Sequence, residues 1–299
     1  MRQRARAPLG PDDLVLCAGT IPGASFVERV QAARDGGFAA ISLRVRDHVR
    51  ARADGLSDAD MRTHLADAGI AVAEIEVLNA WRPGARGGRN APTADEVFAI
   101  ASAVGARSIC VVEGPGQLPS LDEAARIFGA LCDRAADAGL LLHFEFFPGS
   151  VLDLDACLAI LAAADRPNAG LTVDSWHLAR TPGGLERLRA AGARVLALQL
   201  CDSPAVNAPE PDYMAATLSG RLVPGTGALD LVGFLRAMDE DGCTAPLGAE
   251  IWSASLAQQP PSDVARRVGS ALRALVAAAR QSSERKSPTC GPGRDTPPG

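Results

Sequence analysis

Eight short apolar runs recur at nearly even intervals along the chain, at residues 14–18, 39–43, 71–78, 108–112, 140–146, 170–174, 195–201 and 247–251. Each has the length of a buried strand and is too short for an independent helix. The stretches between them are rich in Ala, Leu and Arg. Several open on a side-chain cap with an acid three residues on, where the carboxylate can bond back to the cap's own N–H: Ser25/Glu28, Thr93/Glu96 and Ser120/Glu123. Glycines mark the other ends. Gly36-Gly37, Gly69, Gly105, Gly139 and Gly192 each fall just before an apolar run, where a left-handed helix cap is least costly for a residue without a Cβ.

Strand and helix signals therefore alternate eight times over about 265 residues, the size and rhythm of an α/β chain folded as a (β/α)8 TIM barrel. A doubly wound open sheet fits the same alternation. With 299 residues, 47% of them hydrophobic, the chain can bury a core of that size. The reading divides it into an extension over 1–13, one catalytic barrel domain over 14–280, and a tail over 281–299. The tail, QSSERKSPTCGPGRDTPPG, has four prolines and almost nothing apolar to bury, which predicts disorder.

Charge and cysteine usage exclude several classes. Lys and Arg number 30 against 35 Asp and Glu, for a formal net charge of −5, and the basic residues are scattered. No nucleic-acid partner is expected. No apolar run approaches the roughly 18 residues of a membrane-spanning helix, so no membrane partner is expected either. Pro11, Asp12 and Asp13 interrupt the arginine-bearing start before any stretch of signal-peptide length, which predicts a cytoplasmic protein. Seven cysteines, an odd count with no CxxC spacing, fit reduced thiols better than a disulfide framework or a zinc site.

A buried strand should be apolar, yet four consecutive runs end in polar groups: Glu145, Asp174, Gln199 and Glu250. The carboxyl end of the strands is the rim on which barrel enzymes build their sites. Parity makes the four converge. Phe144 and Phe146, Val173, and Leu198 and Leu200 face the helices, which turns Glu145, Asp174 and Gln199 toward the axis. Carboxylates crowded into one small volume repel one another, and a divalent cation among them resolves the conflict. Three carboxylates and one amide oxygen suit Mg2+ or Mn2+ better than Zn2+, with Co2+ tolerated.

The segments HFEFFPGS, LTVDSWHLAR, LQLCDSP, RLVPGTGALDL and PLGAEIWS, in this order and spacing, resemble the sugar phosphate isomerase/epimerase superfamily, the xylose isomerase-like barrels. The resemblance covers the chain from about residue 14 to 278. It implies Glu145, Asp174 and Glu250 as metal ligands, with Glu145 and Glu250 also serving as acid and base. Gln199 stands where many members have histidine, a departure shared by some dehydroshikimate dehydratase-like members, and an amide oxygen can coordinate. The same resemblance implies that His177 contacts substrate and that Arg221 holds an anionic oxygen. Glu76 either lines the pocket or pairs with Arg44 or Arg46, and Glu74 is placed in the same way. His143 reads as a core histidine one layer below Glu145, and His48 and His64 carry no pattern.

These residues predict a metal-dependent isomerase or epimerase of a small sugar, sugar acid or polyol ketone, working by removal of an α-proton. If a β-hydroxyl leaves instead, the same site is a dehydratase of the 3-dehydroshikimate or inosose type. A catalytically decayed barrel acting as a binding module is the non-enzymatic alternative, with Gln199 as its mark. The resemblance extends to apurinic endonucleases, but four histidines and an acidic chain argue against a multi-metal nuclease. Specificity is expected in the loops 79–90, a candidate lid containing Trp81, and 203–223. Relatives often pair, so a homodimer is the expected assembly.

Overall fold

The computed structural model describes residues 9–85, 91–192, 194–205 and 213–284. All eight apolar runs are strands: β1 (Leu14–Leu16), β2 (Ala40–Arg44), β3 (Ala71–Leu78), β4 (Ala106–Val111), β5 (Leu141–Glu145), β6 (Ala169–Asp174), β7 (Val195–Leu200) and β8 (Leu247–Ala249). They are parallel and pair in sequence order, and β8 closes on β1 through Leu14↔Leu247, Val15↔Gly248 and Leu16↔Ala249. The open-sheet alternative is thereby overturned. Closure leaves no strand edge exposed and aims every strand's carboxyl end at the same rim.

Local chemistry sets the helices. Ser25 and Thr93 cap Phe26–Gly36 and Ala94–Val104 with complete two-way boxes to Glu28 and Glu96. A third complete box, Ser57/Asp60, opens Asp58–Ala68. At Leu121–Asp137 only half of the expected box forms, because Ser120 accepts from the Glu123 amide without a return bond. Each cap is worth about 1 kcal/mol. The glycine stops hold as well, with Gly37, Gly69, Gly105, Gly139 and Gly192 all at positive φ. The last helix, Pro261–Glu284, runs four residues into the segment expected to be tail. The rest of that segment, with Cys290, lies outside the described residues. No described helix is long and apolar enough to cross a membrane.

The outward strand faces and the helices form the main core. Phe144, Phe146, Val173, Leu198 and Leu200 all lie in it, as parity requires, and the Phe128 ring stacks 4.0 Å from Phe144. Inside the barrel, Val15, Cys17, Ala40 and Ala73 form a small apolar floor. Above it the inward positions turn polar and stay buried: Ser42, Glu74, Glu76, Ser108, His143, Thr172, Asp174, Gln199 and Glu250. A barrel interior filled this way gives up burial energy of roughly 1.5–3 kcal/mol per apolar side chain forgone, which marks the upper half as a site rather than a core.

Candidate active site

Strand register brings the rim residues together. Asp174 pairs with Gln199, and Gln199 with Gly248, two residues before Glu250, while Glu145 ends β5 beside Thr172 of β6. The chain leaves β6 directly into a short helix, Ser175–Ala179, whose first turn is capped by Asp174 Oδ1 accepting from the Trp176 amide at 2.8 Å. That turn delivers His177 back over the rim. Its Nε2 lies 3.4 Å from Glu145 Oε1 and 3.6 Å from Asp174 Oδ2, and its Nδ1 meets the Tyr213 hydroxyl. Burial pushes the Tyr213 phenol up, so it remains an O–H donor to Nδ1, and the Nε2–H faces the two carboxylates.

Arg221 is fully buried and already committed. It donates from Nη1 to Asp174 Oδ2 at 2.6 Å and to the Glu250 carbonyl at 3.0 Å, and from Nε to the Thr217 carbonyl at 3.0 Å. Burial works against its charge, but Asp174 outweighs it and holds the guanidinium firmly protonated. The arginine expected to hold an anionic substrate oxygen thus first orients Asp174 and the start of the Glu250 segment.

Below the rim, Glu74 takes the place of a metal-facing residue's support. Its Oε1 accepts from Gln199 Nε2 at 3.3 Å, so the amide oxygen of Gln199 points away from Glu74 and finds no partner. His143 lies beside Glu74, between two hydroxyls: Nε2 is 3.0 Å from Ser108 Oγ and Nδ1 2.6 Å from Thr172 Oγ1. Ser108 gives its own proton to the Ala73 carbonyl, so His143 Nε2–H is the donor to Ser108. Burial first, then Arg107, pushes His143 down to about 3, which makes it the satisfied neutral core histidine expected from the sequence.

On the opposite side, Glu250 Oε1 accepts from the Trp252 indole while Oε2 is buried without a partner. Gly19 makes room for this pair, since a Cβ there would run into both. Arg44 stacks on Trp252 with its guanidinium carbon 4.1 Å from the ring centroid. Glu76 pairs with Arg44 at 3.5 Å and accepts from Ser42 Oγ at 2.5 Å, while its register with Arg44 near the end of β3 keeps it at the rim.

The electrostatics ask for a cation. Burial and the neighbouring carboxylates push Glu74 and Glu250 up, while Glu145, though burial opposes it, is drawn below its usual range by His177 and Arg221. Glu145, Asp174 and His177 each bring one ligand atom to within 4.8 Å of the others. Together with the unpartnered oxygens of Gln199 and Glu250, this donor set fits a divalent ion. His177 stands beside these oxygens with Nδ1 taken by Tyr213 and Nε2–H as a donor.

The profile of the xylose isomerase-like TIM barrels matches residues 30–275. The chain belongs to that family. Two curated relatives, the 3-dehydroshikimate dehydratases of Pseudomonas aeruginosa and Pseudomonas putida, are 26% and 24% identical over 249 and 250 residues. The matches cover 80% of this chain but 37% of each relative, so the chain spans about a third of their length. Among solved structures, the IOLI protein with a bound zinc atom superposes with a TM-score of 0.75 at 17% identity, covering 89% of this chain and 98% of that one. An L-ribulose 3-epimerase gives 0.70 at 17% identity, with 95% and 100% covered.

Within this family frame, the structure adds residues that the sequence did not single out. Tyr213, the chain's single tyrosine, bonds His177 from beyond a segment, 206–212, outside the described residues. Trp81, in the candidate lid, is buried instead, its indole donating to Glu113 Oε2 at 2.7 Å beside the Arg82–Glu113 ion pair. It anchors its loop, whose continuation 86–90 lies outside the described residues. The PGTG amides are taken as well: Gly225 and Gly227 both donate to Asp202 Oδ2 at 2.9 Å. That turn is closed by a carboxylate and leaves those amides to no phosphate. Five of the cysteines, 17, 110, 132, 157 and 201, are buried as small core residues.

Proposed function

We propose that this barrel is a divalent-metal-dependent lyase that removes water from a cyclic keto acid of the 3-dehydroshikimate type. The observation that carries the reading is the convergence of Glu145, Asp174, Gln199 and Glu250 on one rim, with the Gln199 and Glu250 oxygens buried and unpartnered. The two curated relatives support lyase over the isomerase or epimerase first expected, because both are named as dehydratases. Gln199 supports it too, as the departure that the sequence shares with dehydratase-like members.

Glu145, Asp174, Gln199 and Glu250 would hold the ion. When bound, it supplies a Lewis acid that polarises the substrate carbonyl and acidifies the adjacent C–H. Glu145, kept ionised beside His177 and Arg221, accepts the α-proton. His177, fixed by Tyr213, gives its Nε2–H to a substrate oxygen. The bond to the β-hydroxyl breaks as Glu250 delivers a proton to it, and water leaves. Glu145 then returns its proton to solvent and Glu250 is reprotonated, so the cycle balances. Asp174 and Arg221 keep the rim in register throughout.

The test is purified protein with Mn2+, Mg2+ or Zn2+, offered 3-dehydroshikimate and, separately, a ketose panel. The expected result is an aromatic product absorbing in the near ultraviolet. Epimer or isomer formation from a ketose without that product would restore the isomerase reading. No turnover together with no bound metal would favour a binding module.

A further inference from the structure

The arginines around the rim differ in what they leave free. Arg82 grips Glu113 with two nitrogens, Arg221 is locked on Asp174, and Arg180 donates to Ser203 and the Trp176 carbonyl. Arg44 is held by its face and by an ion pair, with no side-chain hydrogen bond to a described residue. It stacks on Trp252, its Nε is ion-paired with Glu76 Oε2 at 3.5 Å without a hydrogen bond, and its side chain is 25% exposed. A planar fork pinned by its face, with no hydrogen bond made along its edge, has N–H donors left for a second carboxylate.

Position supports the same end. Arg44 closes β2 at the inward parity of Ser42, in register with Glu76. In a closed eight-strand barrel β2 lies across the axis from β6, which carries Asp174 and leads into His177. In a ring of the 3-dehydroshikimate type, the carboxylate stands across the ring from the hydroxyl next to the ketone. With that ketone and hydroxyl at the Asp174 side, the acid group reaches the Arg44 side. An anion entering a rim lined by Glu76, Glu145 and Glu250 is repelled unless a cation receives it.

We infer that Arg44, stacked on Trp252, is a specificity-determining residue that binds the substrate carboxylate and selects cyclic acids over neutral sugars. The inference rests on the lyase reading for its substrate class and stands on its own geometry for the contact.

The test is calorimetry on the full chain loaded with Mn2+, using 3,4-dihydroxybenzoate and catechol, two rings that differ only in the carboxylate. Wild type should prefer the acid by about tenfold or more. Arg44→Gln should weaken the acid by about tenfold to a hundredfold, the range of a lost charged hydrogen-bond pair, and leave catechol within about twofold. Arg44→Lys should restore part of the loss. No preference in wild type, no binding of the acid, or equal weakening of both ligands in Arg44→Gln would each overturn the inference, the last because it marks a structural role. Acid binding that depends on Arg44 without any water loss from 3-dehydroshikimate would break the proposed function and leave this inference standing. Aromatic product from a variant whose acid affinity is unchanged would do the reverse.

Discussion

Two polar layers stacked inside one barrel behave in opposite ways. In the lower layer, His143, Ser108 and Thr172 satisfy one another, and the histidine is neutral between two hydroxyls. In the upper layer, two residues above on the same strand, Glu145 shares its space with Asp174 and His177, and the Gln199 and Glu250 side chains each leave one buried oxygen without a protein partner. Both layers are largely buried, Glu145 less than the rest, so burial alone does not separate a core from a site. The separation comes from whether the protein completes its own hydrogen bonds or leaves oxygen lone pairs unpartnered. Glu74 links the layers: it lies against His143 below and holds Gln199 above.

The largest expected effect is at Asp174. Asp174→Asn removes a charge from the rim and also leaves Arg221 buried without a counter-ion, a loss of about 3–5 kcal/mol in pairs of this kind. Mn2+ titration should show affinity down at least tenfold, and thermal melting a clear drop in stability. Unchanged values in both would mean that the upper layer is as self-sufficient as the lower one. Next comes Glu250→Gln, which keeps the shape and the Trp252 contact but removes proton delivery. Turnover should fall by about a hundredfold or more with the fold intact. Near-normal turnover would take Glu250 out of the chemistry.

A smaller effect tests the link. Glu74→Leu frees the Gln199 amide to rotate, so Mn2+ affinity measured by calorimetry should fall about tenfold. Stability should hold or rise, because a buried carboxyl is removed. Equal metal affinity would uncouple the layers. The smallest effect is a pH slope. Burial lowers His143 from its ordinary 6.5 to about 3, so between those values the unfolded chain binds a proton that the folded chain refuses. Its stabilising contribution is therefore complete above about pH 6.5 and is lost as pH falls through that window, by up to about 1.4 kcal/mol per pH unit. Chemical denaturation of His143→Gln between pH 6 and 4.5 should show a slope shallower than wild type by up to that amount. Matching slopes would mean that His143 is already charged in the folded protein.

Much of this was legible before any coordinates. The eight strands follow from apolar runs bounded by capped helices and glycine stops, since each signal is local and needs only backbone sterics and a nearby hydrogen bond. The inward turn of Glu145, Asp174 and Gln199 follows from a period of two residues, which every strand obeys. His143 as a core residue follows from the same parity one layer deeper.

What the sequence could not carry are pairings across long separations. Arg221 meets Asp174 across 47 residues, Gln199 meets Glu74 across 125, and Arg44 reaches Trp252 only because β8 closes on β1, the neighbour of β2. Tyr213 had no motif, and no local signal ties Asp202 to the amides of the PGTG turn that it closes. Sequence by itself determined which residues line the rim, because side-chain direction in a strand is set by neighbours one residue away. Tertiary structure alone decided which of them are engaged and which are free, because an arginine's or an amide's partner is chosen by closure of the whole barrel.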